Sequence, residues 1–156
     1  MPLYADIPRI AMQVSREVLV ASIQVDLDDD VLSRFREDLL GRIHETGSRG
    51  VILDVSGLET LDSDEFAALR LTITMCSIMG AESVLVGLRP GVVSALIEAG
   101  ADVDGLRAAI NLDAAFALLQ PEPRLEPDYE ARAAVDENDW EDSLAAEPDQ
   151  ASGDER

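Results

Sequence analysis

Two short apolar runs open the chain, Ile10 to Val14 and Val18 to Gln24, separated by Ser15-Arg16-Glu17. Their β-branched content predicts strands, and the polar triplet between them predicts a tight connection. From Asp28 the period changes. Val31, Phe35, Leu39 and Ile43 recur every four residues, which puts them on one side of a helix. Asp28, Asp29 and Asp30 suit the positive end of that helix, and Gly47 is placed to end it. The alternation then repeats, with a strand over Val51 to Val55, a helix over Ser63 to Met79 and a strand over Ser83 to Gly87. Pro90 and Gly100 bracket a short helix. A brief strand near Leu106 to Ala108 and a helix from Leu112 to Leu119, capped by Asn111, complete the series.

Strands alternating with helices predict an α/β architecture, about four helices covering a mixed sheet of four or five strands. The first two strands are joined too closely to be parallel. Val20, Ile52, Leu53, Val55, Val84 and Val86 lie on near-continuous apolar strands and are expected in the interior.

The helix over Ser63 to Met79 breaks the amphipathic pattern. Phe66, Leu69, Ile73 and Cys76 trace one apolar face and Leu71, Met75, Ile78 and Met79 a second, leaving Arg70, Thr72, Thr74 and Ser77 as the polar remainder. Such a helix is either buried on all sides or packed against a partner. Leu71 and Met75 are the positions where a charge would test for a partner-covered assembly interface.

At 156 residues the chain suits a single domain with a real core, and an aromatic share of 4% makes that core aliphatic. The formal charge is −20, from 32 acidic and 12 basic residues, and every basic residue is arginine. Without lysine there is no amine for Schiff-base chemistry or for a P-loop. The acidity disfavours nucleic acid and anionic membranes as partners. Residues 121–156 hold 13 acids against 3 arginines, the same net −10 that residues 1–120 reach with 19 acids and 9 arginines. We therefore expect a domain over 1–120 and a disordered acidic tail over 121–156, interrupted by Pro121, Pro123, Pro127 and Pro148. Within the tail, Tyr129 to Val135 could form local helix, and Trp140 and Leu144, spaced four apart, could form a short partner-binding one, although a solubilising role is the favoured reading of the tail. The single cysteine, Cys76, reads as a core residue, and no Cys/His cluster has metal-ligand spacing. With no apolar leader in Met1 to Asp6 and no membrane-length run, a cytoplasmic protein is expected, with neither metal nor cofactor.

Chemistry concentrates between the third strand and the helix after it. Ser56-Gly57 breaks the strand, and Asp62-Ser63 precedes the helical pattern. Ser63 is a candidate N-cap, the commonest use of a serine so placed, or a hydroxyl to which a partner adds a phosphate. Thr60 is a weaker phosphoacceptor because it precedes the helix start. Asp54 and Asp62 could suggest acid/base catalysis, but no general-base histidine, metal cluster or nucleophile elbow accompanies them, and they read as loop-fixing carboxylates. His44 belongs to a helix end, and Asp26 to Asp30 lack the glycine and distal glutamate of a calcium loop.

The stretch Asp54 to Ser63, with its Asp-x-Ser-Gly-Leu-x-x-Leu-Asp-Ser order, resembles the phosphorylation loop of STAS domains, the anti-sigma-factor antagonist family. Leu19 to Gln24, Glu37 to Leu40, Met79-Gly80-Ala81, Gly87-Leu88-Arg89-Pro90 and Leu96 to Gly100 resemble the stressosome scaffold antagonist of the RsbS type, over residues 7–120. Asp64-Glu65 departs from the many antagonists that carry a small residue and a glycine there, a glycine the RsbS type also lacks. The resemblance implies a STAS fold and a non-enzymatic scaffold that sequesters a cognate serine/threonine kinase and is switched by phosphorylation at Ser63, regulating a sigma factor or second-messenger pathway. Asp54, Ser56, Gly57 and Asp62 would support the phosphosite loop. It also implies sensor-bearing STAS paralogues as assembly partners, a PP2C-like phosphatase, and homo- and hetero-oligomers. The alternative is a soluble anti-sigma-factor antagonist that binds an anti-sigma kinase directly.

Overall fold

The computed structural model describes residues 7–120, so the expectations for the acidic tail lie outside the described residues. Five strands and four helices make up the described part: β1 (Ala11–Ser15), β2 (Val18–Ser22), α1 (Asp29–Thr46), β3 (Gly50–Asp54), α2 (Ser63–Ile78), β4 (Glu82–Val86), α3 (Pro90–Glu98), β5 (Ala108–Ala109) and α4 (Leu112–Leu119). The sheet order is β1-β2-β3-β4-β5, with β1 antiparallel to β2 and the other neighbours parallel. Arg16 and Glu17, at φ 53° and 62°, make the two-residue turn between β1 and β2. Both lie in the left-handed region that a turn matched to strand twist requires. The Arg16 guanidinium sits 5.5 Å from the centroid of the Phe116 ring, tying this turn to α4.

Alternation along the strands decides which layer each residue joins. Leu19 and Ala21 of β2, Val51 and Leu53 of β3 and Leu85 of β4 point to the core shared with α1, α2 and α3. Val18, Val20, Ile52, Val84 and Val86 point the other way, to a smaller cluster closed by Ala115, Phe116 and Leu119 around α4. Cover on both faces explains why the strands read as continuous apolar runs. Val20, Ile52, Leu53, Val55, Val84 and Val86 are all buried.

Local signals set the element ends. Asp28 caps α1 by accepting from the Val31 amide at 2.8 Å, and Gly47 ends it at φ 63°. Asn111 caps α4 through the Ala114 amide at 2.8 Å. Every strand lies within two residues of its expected bounds: β2 is two residues shorter, and β3 and β4 each run one residue earlier. β1 starts at Ala11 because the tight turn pairs Ser15 with Val18, leaving Ile10 buried but outside the ladder. β5 starts at Ala108 because Gly105, at φ 71°, turns the chain just before it. Cys76 is fully buried in the core, and loss of hydration pushes its thiol up to about 11, which leaves it unreactive at neutral pH.

Gly41 lies inside α1, and an added Cβ there would meet nothing within 4 Å. Gly41→Ala is therefore expected to stabilise the domain by roughly 0.5–1 kcal/mol through lower unfolded-state entropy. Urea unfolding should show a higher midpoint at unchanged slope.

Candidate functional site

The site lies at the carboxyl edge of the parallel strands, where β3 gives way to α2. At the end of β3 the Ile23 amide donates to the Asp54 carbonyl and the Val55 amide to the Val86 carbonyl, both at 2.9 Å, so the sheet holds the loop's root. Asp54 Oδ1 accepts from the Ser56 amide at 3.0 Å, a side-chain turn that reverses the chain. Gly57 then packs against main chain, where an added Cβ would stand 2.8 Å from the Ile23 carbonyl oxygen. Gly87, at φ 81°, leaves room for Ser56, whose Cβ would lie 2.6 Å from any Cβ at that position. Arg89 closes the arrangement by donating to the Ser56 carbonyl at 3.1 Å. Leu58 and Leu61 are buried and pin the remainder of the loop.

Asp62, not Ser63, is the N-cap of α2, which corrects the expectation from sequence. The Asp62 backbone is extended, and its carboxylate accepts from the amides of Asp64 at 2.9 Å and Glu65 at 2.8 Å. Glu65 Oε2 accepts in return from the Asp62 amide at 2.9 Å, completing a capping box. Ser63 is already the first helical residue, so the capping role is filled by the side chain before it. Its half-buried hydroxyl makes no hydrogen bond among the described residues. The Asp-x-x-Glu spacing carried this signal, and it also gives Glu65 a structural task.

Ser63 lines a groove of about 420 Å³ between this loop and α3. Glu59 and Asp62 of the loop and Glu65 of α2 stand on one side, while Gly91 and Ala95 of α3 and Ala99 at its end keep the other side low. Thr60 is exposed and lines the same groove from the loop. The nearby arginines are engaged elsewhere. Arg70 pairs with the Asp102 carboxylate at 2.7 Å and donates to the carbonyls of Asp102 and Asp104. Together with the Asp104 amide it holds the Asp102 carboxyl below its ordinary range. The carboxylates of Asp54 and Asp62 each accept from backbone amides of their own turns. Among the described residues no group of His, Cys, Asp and Glu could hold a metal ion.

One flank of α2 is open and the other is closed. Leu71 is 47% exposed and Ile78 81%, Met79 is also exposed, and Met75 is half-buried. Thr72, expected on the polar side, is fully buried. Its hydroxyl donates to the Ala68 carbonyl at 3.0 Å and accepts from Arg36 Nε of α1 at 3.3 Å, so α1 covers that flank. Among the described residues no helix is long and apolar enough to cross a membrane.

One five-stranded mixed sheet covered by four helices is the architecture of a STAS domain. The STAS domain family profile matches residues 9–105, and the chain belongs to that family. No curated protein matches the chain. A solved structure of RsbS from Moorella thermoacetica carrying a serine-to-glutamate substitution is 28% identical over 70% of this chain and 93% of its own, with a TM-score of 0.62. A chain from a structure of the stressosome, described as a signal integration and transduction hub, is 29% identical over 70% of this chain and 95% of its own, also at 0.62. The anti-sigma factor antagonist SpoIIAA in its unphosphorylated form shares the fold at 16% identity, covering 70% of this chain and 95% of its own, with a TM-score of 0.55.

Because Asp62 is the cap, Asp62→Ala should cost about 0.5–2 kcal/mol. Ser63→Ala should stay within about 0.5 kcal/mol of the parent. Equilibrium urea unfolding of the two variants separates the assignments, since a larger loss at Ser63 would return the cap to the serine.

Proposed function

We propose that this STAS protein is a non-enzymatic signalling scaffold or antagonist of the stressosome type, which sequesters a cognate serine/threonine kinase and is switched by phosphorylation at Ser63. The observation that carries this reading is the Ser63 hydroxyl itself, spared from capping by Asp62 and set in an open groove at the sheet edge. The similarity to RsbS and to a stressosome chain supports the scaffold branch. A soluble antagonist acting directly on an anti-sigma kinase is the second reading, supported by the SpoIIAA-like fold. In either scheme the kinase supplies ATP and magnesium, a PP2C-like phosphatase resets the serine, and a sigma factor or second-messenger pathway lies downstream in the cytoplasm. Residues 1–120 would form the working domain, with 121–156 as an acidic appendage.

The electrostatics indicate how such a switch would act. A helix start favours an anion by roughly 0.3–1 kcal/mol. A phosphate of about −1.5 to −2 charges would nonetheless join Glu59, Asp62, Asp64 and Glu65, with Arg70 already held by Asp102. No new intramolecular clamp is therefore expected. The change falls on the surface a partner sees, and the kinase is repelled rather than the domain remodelled. Incubation with the kinase and ATP, followed by mass-spectrometric mapping, should place the phosphate on Ser63. Undiminished labelling of Ser63→Ala would overturn the assignment and would direct attention to Thr60.

Assembly with itself and with sensor-bearing paralogues would use the open flank of α2. Leu71 is the cleaner test position, because Met75 is half-buried and a charge there also strains the fold. Sedimentation velocity should show association of the parent chain, lost in Leu71→Asp with the circular dichroism spectrum unchanged. A parent chain that stays monomeric at high concentration and ignores its paralogues would contradict this.

A further inference from the structure

On the other flank of α3 lies a second groove, of about 520 Å³. Leu96 lines both grooves, so this short helix is the wall between them. Phe66, Leu88 and Leu106 line the second groove, and only apolar side chains and glycine contribute to it. Val93 and Ile97, one turn apart on α3, are 41% and 55% exposed at its border, and Ile110 is 88% exposed. Ile110 is fixed in this position between β5 and the Asn111 cap of α4. The fold leaves Val93 and Ile97 half covered and Ile110 almost bare, and clustered exposure of this kind is characteristic of binding surfaces.

Charge identifies the occupant. The segments framing the groove carry Glu98, Asp102, Asp104 and Asp113. Asp102 is neutralised by Arg70, whereas Glu98, Asp104 and Asp113 make no ion pair among the described residues. The nearby cations are committed, Arg107 to Glu82 and the Leu118 carbonyl, Arg89 to the Ser56 carbonyl. Glu98, Asp104 and Asp113 would repel an anionic amphiphile or an acidic segment of another chain at this mouth. The neighbouring edge strand β5 is two residues long, too short to extend the sheet with an added strand. We propose that the groove docks a basic amphipathic helix of a partner protein, with aliphatic anchors one turn apart inserted beside Val93, Ile97 and Ile110 and with lysine or arginine set against Glu98, Asp104 and Asp113. The site is separate from the open flank of α2 and does not depend on phosphorylation of Ser63.

Fluorescence anisotropy with labelled helical peptides tests this on the full chain. One peptide carries leucines at i, i+3 and i+7 among lysines, a second has the same composition scrambled, and a third replaces lysine by glutamate. The patterned basic peptide should bind saturably, more weakly at high salt. Ile97→Asp and Ile110→Ser, both at exposed positions and checked by circular dichroism, should each weaken it about tenfold or more. Leu71→Asp should leave it unchanged. Absence of binding by the patterned peptide, equal binding of the scrambled one, or parent-like affinity in both groove variants would overturn the proposal. Saturable binding of the neutral dye Nile red that the patterned peptide cannot displace would assign the groove to a small apolar ligand instead.

Discussion

The close approach of the main chain at Gly57 to the Ile23 carbonyl is the contact on which the carboxyl edge of this sheet depends. An added Cβ would lie 2.8 Å from that oxygen, so only a residue without a side chain lets the loop fold back over the end of β2. Folded back in this way, the loop buries Leu58 and Leu61, and those two anchors deliver Asp62 to the start of α2. Gly87 and Arg89 brace the same turn from the end of β4. The position of Ser63 is thus a consequence of backbone packing between β2, β3 and β4, several residues before the serine itself.

Carboxylates then divide the work around that serine. Asp54 and Asp62 accept from backbone amides of the loop and of the first turn of α2, and Glu65 returns a hydrogen bond to the cap. Asp62 and Glu65 have a second, electrostatic effect, because with Glu59 they line the groove that holds the hydroxyl. In the proposed scheme this sharpens a binding switch: the helix start tolerates a phosphate, while the acidic rim ensures that it stays a surface charge. α3 adds a further constraint, since a nine-residue helix resting on Val92 and Leu96 separates the serine groove from an apolar one.

Much of the fold was legible because the strands are buried on both faces and the helix ends carry strong local signals. Val51 to Val55 could be read as an interior strand, and Asp28, Gly47, Pro90 and Asn111 mark helix boundaries where the structure has them. The site was legible to the loop and not to the atom. Placing the cap at Ser63 followed residue preference alone, whereas the spacing of Asp62 and Glu65 decided the matter through a reciprocal pair of hydrogen bonds. Thr72 was misplaced because helical periodicity shows which residues share a face but not which neighbour covers it. Its burial depends on Arg36, distant in sequence and supplied by α1. The apolar groove beside α3 draws on α2, the end of β4, α3 and the segment around β5, and no local pattern announces such a convergence.

The central claim is that modification at Ser63 alters what the surface holds while leaving the fold in place. Its most direct test is the kinase affinity of chain carrying phosphoserine at position 63 throughout, measured beside unmodified chain with thermal unfolding of both. The account predicts affinity lower by about tenfold or more, a loss of some 1.4 kcal/mol, with similar unfolding midpoints. Equal affinity in the two forms, or a modified chain that no longer unfolds cooperatively, would contradict it.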